Sequence, residues 1–312
     1  MRISRTKGVI VRSVVIALLV LILQGCDNYF TNDYRDNSPT SGKLNVFYDE
    51  GLQLHVENQI YTFNALYHNA EVKGFCRTES QAVQGLYKDS CEAIVMARLL
   101  NDEEKKAFAS KRYTPLYSHV ASTGVALIVS CQSPLYRLTV AEVQQLLKHG
   151  EAADTLGVKQ AYQVVFDANN SSVLHYTADS ILKGTPATHW ASMRDTRACI
   201  DFVTTHTNAV GFIDFAWLSD SDDSLYKANT TKLRFLAIGR NKSLYDPPHQ
   251  SSFKLGTYPF TRHVYVIRKT GEFTLAKGFE SFVAGPKGQL TFLKQGLLPA
   301  HQGERSIEMK VE

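Results

Sequence analysis

The stretch Phe166-Asp167-Ala168-Asn169-Asn170-Ser171-Ser172 leads from an apolar run into a helical pattern and places four small polar side chains in a row. A helix that begins at Ser171 or Ser172 exposes backbone N–H groups without internal partners and carries about half a positive charge at that end. Small hydroxyl residues let an anion reach those groups and add donors of their own, which is the chemistry of oxyanion binding. Ser171 or Asn170 equally suits an N-cap, where a side-chain oxygen accepts from the first turn. The two roles are compatible. His175, three positions beyond Ser172 on the same helix, is poorly placed to act as its base. No G-x-S-x-G elbow occurs and no acid is placed by sequence to orient that imidazole, so the reading is not an enzyme. Asp220-Ser221-Asp222-Asp223 lacks the Gly and closing Glu of a calcium loop and reads as a solvated turn. With no HExxH and no His/Cys group at ligand spacing, no metal and no cofactor is expected.

These residues need a frame. From Leu44 onward, strand-like and helix-like segments alternate. "LNVFY" (44–48), "EVKGF" (71–75) and "EAIVMA" (92–97) read as strands. Between the first two, Leu52, Val56, Ile60, Phe63 and Tyr67 form a helical stripe. Asn101-Asp102-Glu103-Glu104 opens another helix, with acids where the dipole favours them. "VALIVS" (125–130), "QVVFD" (163–167), "AVGFIDF" (209–215), "KLRFLAI" (232–238) and "TRHVYVIRK" (261–269) read as further strands. Thr139 and Glu142 make a capping box for a helix that Gly150 ends. Helices are expected over 275–284 and 288–295. This order predicts an α/β fold of two lobes, 44–130 plus 260–312 and 131–259, with the chain crossing twice and a ligand in the crevice between.

The N-terminus carries Arg2, Arg5, Lys7 and Arg12, then the apolar run Val14 to Leu23. That run has the length of a signal-peptide core and falls short of the roughly 20 residues a spanning helix needs. It closes on Leu23-Gln24-Gly25-Cys26, which resembles a bacterial lipobox. The reading is a lipoprotein signal over 1–25 with lipidation, a palmitate-type anchor, at Cys26. A polar tether then covers 26–43 and the body lies outside the cytoplasm, in the cell envelope. More than one acyl chain, at about 0.8 kcal/mol per buried CH₂, gives stable anchoring. The formal charge of +4 includes the four basic residues ahead of Cys26, so composition offers no case for nucleic acid. Cys76, Cys91, Cys131 and Cys199 show no CxxC spacing and read as free thiols ahead of a bridge.

Six segments stand in a familiar order: "EAIVMARLLNDEEKKAF", "VALIVS", "VVFDANNSSVLHYTADSIL", "NAVGFIDFAWLSD", "YPFTRHVYVI" and "SFVAGPKGQLTFLKQGLLPA". From about residue 44 to about 302 the chain resembles the phosphate-binding lipoproteins of ABC-type phosphate transporters, most of all a subgroup from Bacteroidetes-like bacteria. The resemblance implies the type II periplasmic-binding-protein fold with two crossover strands, hinge closure around a tetrahedral oxyanion such as phosphate, and delivery to an ABC permease. It also implies ligand roles. Arg98 falls on the family's arginine, where charge-assisted bonds reach the anion; a salt bridge to a nearby acid is its other reading. Asn170, Ser171 and Ser172 fall on the helix start that cradles the ligand. Three positions depart from the family. Val173 replaces the usual Thr, His175 stands where related proteins often carry Arg, and Thr123 stands where the family has Asp. A carboxylate at that point accepts the proton that phosphate carries and repels sulfate, which carries none. Thr123 neither demands that proton nor repels a bare oxyanion, so weaker selectivity is expected. The turn Asp49-Glu50-Gly51 lacks the hydroxyls the family places there. The alternative is a non-transporting envelope or surface lipoprotein that keeps the fold with a degraded anion site.

Overall fold

The computed structural model describes residues 37–154, 156–185, 189–269 and 271–301. Cys26, the signal and most of the tether lie outside the described residues. The chain begins with β1 (Gly42–Tyr48), α1 (Gln53–Leu66), β2 (Ala70–Cys76), α2 (Glu79–Tyr87), β3 (Ala93–Met96) and α3 (Asp102–Ser110). The 15-residue β4 (Leu116–Ser130) follows, then β5 (Arg137–Thr139), α4 (Val140–His149), β6 (Glu151–Ala153), β7 (Lys159–Ala161) and β8 (Gln163–Phe166). Next come α5 (Ser172–Tyr176), β9 (Ala191–Ser192), α6 (Thr196–Thr205), β10 (Ala209–Asp214) and α7 (Ser224–Asn229). The rest is β11 (Leu233–Phe235), β12 (Ala237–Gly239), α8 (Gln250–Lys254), β13 (Thr261–Arg268), α9 (Leu275–Ala284), α10 (Pro286–Lys294) and β14 (Leu298–Pro299).

One mixed sheet carries the fold, in the order β2-β1-β3-β13-β4-β10-β8-β9, with β11 and β14 also paired to β4. The parallel pairs β1 with β2, β1 with β3 and β8 with β10 are joined through helices, as such connections require. The crossover strands are β4 and β13. The first part of β4 pairs antiparallel with β13, from Leu116 opposite Arg268 to Gly124 opposite Thr261. From Val125 onward β4 pairs instead with β10 and β11. The sheet therefore changes partners at Gly124 and Val125, and a β1 lobe and a β8 lobe flank that point. One continuous apolar core runs through both lobes; a smaller cluster, including Leu86, Ile94, Met96 and Phe108, lies under α2 and α3.

Two expected strands differ in extent. "VALIVS" is the second half of β4 rather than a strand of its own, because residues 116–124, held by β13, run straight into it where β10 and β11 take over the pairing. "KLRFLAI" divides at Leu236. The Leu236 N–H still bonds Leu127 O, but the Ala237 N–H goes to Tyr136 O, so the chain leaves β4 and joins β5. The Thr139 capping box and the left-handed Gly150 bound α4 as expected; the φ of 69° there is one that glycine adopts without a Cβ clash. Cys76, Cys91, Cys131 and Cys199 are all unbridged. Among the described residues no helix is long and apolar enough to cross a membrane.

Candidate functional site

The C-terminal ends of β1 and β3, the start of α5, the end of β10 and the crossover strands converge on one buried seam. After β1 the chain turns tightly through Asp49, Glu50 and Gly51, with the Asp49 N–H on Val95 O. The turn is tight at Gly51: a Cβ there would stand 3.0 Å from Asp214 Cβ and 3.1 Å from Asp49 Oδ2. Opposite, Ser171 caps α5 by accepting from the Leu174 N–H, which aims the next side chain, Ser172, into the seam. The Ser172 hydroxyl donates to Asp49 Oδ2 at 2.5 Å, and both residues are buried. Beside it, Thr196 at the start of α6 donates to both oxygens of Glu50 at 3.0 Å.

A second chain of contacts runs across the crossover strands. Thr123 on β4 faces Arg262 on β13 in register, and both are buried. Thr123 Oγ1 donates to Asp214 Oδ1 at 2.6 Å, and the Ala216 N–H donates to the same oxygen. Arg262 donates to Asp214 Oδ2 at 3.2 Å and reaches Glu79 Oε1 at 3.5 Å. Its Nε has no partner, and its guanidinium lies 5.6 Å from the Tyr176 ring centroid. Glu79 in turn accepts from Arg98 at 2.8 Å, and Arg98 clamps Glu104 with two bonds of 2.8 and 2.9 Å.

The electrostatics follow from crowding acids in a dry seam. Burial, with Glu79 close by, pushes the Asp49 carboxyl up to about 7 despite Arg262 and the Ser172 hydroxyl. Asp167, just behind α5, is pushed up to about 8 by burial, with Glu50 and Asp49 adding to the effect and the Ser171 hydroxyl opposing it. Asp214 and Glu50 are raised too, burial being the larger cause in each; Arg262 and Thr123 oppose it at Asp214, and Thr196 opposes it at Glu50. The seam therefore offers hydroxyl and guanidinium donors beside two carboxyls, Asp49 and Asp167, that hold protons near neutrality. That combination suits a ligand that both accepts and donates hydrogen bonds. Among the described residues no group of three or more His, Cys, Asp or Glu side chains is arranged to hold a metal.

A family model described as the PBP superfamily domain matches residues 46–287. The chain belongs to the PBP superfamily. Among solved structures, this PBP chain is similar to a protein from Clostridium perfringens described as a phosphate ABC transporter substrate-binding protein with bound phosphate. Identity is 16% and the TM-score 0.68, over 83% of this chain and 100% of that one. An ABC-type phosphate transport receptor from Vibrio cholerae matches at 16% identity and TM-score 0.63, over the same shares. Full-length OxyR from Pseudomonas aeruginosa also matches, at 8% identity and TM-score 0.53, over 89% of this chain and 82% of that one. At such identities the likeness is one of fold. No curated protein sequence matches.

Within the PBP fold, Thr123, Ser171 and Ser172 come to the seam. Arg98 lies at its rim, with its guanidinium occupied by Glu79, Glu104 and Leu99 O. Asn170 is exposed at the turn before α5. His175 is exposed on the outer side of α5, where it lines a surface cavity with Leu147, Phe166 and Trp190. Sequence reasoning missed Asp214, Arg262, Glu79 and Thr196. Asp214 and Arg262 carried a signal, each being a charge inside a strand-like apolar run, "AVGFIDF" and "TRHVYVIRK". Asp214 on the neighbouring strand sets a carboxylate against the Thr123 hydroxyl, which donates to it.

Proposed function

We propose that this PBP chain is a solute-binding protein that captures phosphate, or a related protonated tetrahedral oxyanion, in the seam between its lobes. One observation carries the reading: Ser172 bonds Asp49, and Arg262 and the Thr123 and Asp214 pair from the crossover strands and β10 surround that same buried carboxyl. Arg262 supplies charge and Ser172 a hydroxyl donor. Asp214 takes the part of the proton acceptor, so an anion that carries a proton is preferred to one that does not. Arg98 holds Glu79 in place and reaches the ligand only if its acid partners let go. The neighbours that carry phosphate in their descriptions support this choice of ligand. Lipidation at Cys26 would tether the protein to the envelope membrane with its body outside the cytoplasm, where an ABC permease would receive the solute.

A second reading, an envelope lipoprotein that keeps the fold and works through its exterior, is favoured by a specific feature. Asp49 already accepts the Ser172 proton, and Glu79 and Glu104 already hold Arg98. Calorimetric titration with phosphate and then sulfate, at pH 5.5 and pH 8, decides between the two. A receptor gives heat with phosphate at micromolar concentrations at one or both pH values, much less with sulfate, and none in Ser172→Asp. Silence with both anions at millimolar concentration would leave the second reading.

A further inference from the structure

Two contacts that join the lobes across the seam are of one chemical kind. Asp49 and Glu50 follow β1, whereas Ser172 and Thr196 start α5 and α6, which pack in the β8 lobe. Each contact pairs a carboxylate of one lobe with a hydroxyl of the other. A hydroxyl has a single proton to give. While Ser172 donates it to Asp49, an anion in the seam cannot receive it.

We propose that Asp49 and Glu50 form a resident carboxylate latch that closes the lobes on each other and that an incoming solute must displace from Ser172. The device concerns the same cleft as the proposed function but is defined without any ligand. Its direction with pH follows from what surrounds the two acids. Asp49 faces Glu79 on α2, Asp214 on β10, Cys76 on β2 and Asp167 behind α5, with Arg262 on β13 as the positive neighbour. Glu50 faces Asp195, Asp214 and Asp167, with the Cys76 and Cys199 thiols also near. Opening the seam hydrates both carboxylates and returns them toward their ordinary range near 4. The closed state thus holds protons the open state releases. Closure is favoured at low pH and is lost as pH rises toward 7. Between pH 5 and pH 8 the open-to-closed ratio rises by up to about a hundredfold through Asp49, with Glu50 acting in the same direction.

The test uses the full chain in nanodiscs, with donor and acceptor dyes on noncanonical residues at the exposed positions Lys88 and Asp201. Energy transfer is read in buffers free of phosphate and sulfate. Wild type is expected to lose transfer from pH 5 to pH 8. Asp49→Asn, which keeps the shape without the charge, shows a smaller loss, and Asp49→Asn with Glu50→Gln a smaller one still, set by the remaining raised acids Asp167 and Asp214. Equal transfer in wild type at both pH values, or a wild-type loss in the double variant, overturns the latch. If the double variant does not fold by circular dichroism, Ser172→Ala with Thr196→Val takes its place. It removes both donors and should show less transfer than wild type at pH 5; unchanged transfer there also overturns the latch. Because no anion is present, failure of phosphate binding leaves these outcomes unaffected, and failure of the latch leaves the calorimetric result standing.

Discussion

Replacing Arg262 by Met probes the balance of charge at the centre of the fold. Arg262 is 3% exposed, and its guanidinium stands 3.2 Å from Asp214 and 3.5 Å from Glu79. At an effective dielectric of about 20, unit charges at these separations attract by about 5 kcal/mol. Much of that is offset in the wild type by the cost of burying the ions, so the pair is not worth its Coulomb energy. Truncating one partner is different, because it strands the other. Glu79 keeps Arg98, but Asp214, fully buried, keeps only Thr123 and the Ala216 N–H. A stranded buried charge costs about 3–5 kcal/mol, or roughly 10 °C in Tm for a chain of this size.

The pH dependence makes the test specific. Burial already raises the Asp214 carboxyl, and loss of Arg262 removes the largest influence opposing that rise. A carboxyl raised in the folded state contributes fully below its unfolded value near 4 and loses that contribution as pH climbs through the folded value. The deficit of Arg262→Met should therefore be small near pH 4 and full at pH 8, by urea unfolding at both. Adding Asp214→Asn should recover at least half of it at pH 8, since no uncompensated charge then remains. A loss below about 1 kcal/mol at pH 8, or an equal loss at both pH values, would refute the reasoning.

Two further substitutions test other parts of the seam. Asp167→Asn removes a carboxyl raised to about 8 while keeping an oxygen for the Ala168 N–H, so it should stabilise the protein at pH 8.5 by on the order of 3 kcal/mol and change little at pH 4. Denaturant midpoints at the two pH values check it. Gly51→Ala drives a Cβ against Asp214 and Asp49 and should cost about 1–3 kcal/mol by the same measurement, with weaker phosphate heat where that is detectable.

The sequence by itself determined the local elements and their order. The Thr139 box and the Ser171 cap are decided by bonds spanning three residues, and the stripe on α1 by side chains three and four apart. The α/β alternation that implied two lobes and a crevice is likewise a sum of local periods. Where tertiary contacts compete with local pattern, the sequence was a poorer guide. The apolar run at 125–130 looks complete in itself, yet it is half of a crossover strand, because β13 supplies partners for the residues before it. The site was decided almost entirely in space. The Thr123 bond to Asp214 spans 91 positions, that of Ser172 to Asp49 spans 123, and that of Arg262 to Glu79 spans 183. Burial brings those groups together and sets their protonation. A carboxylate read from sequence is a solvated anion, and in the seam it becomes an acid near neutrality because the fold takes its water away.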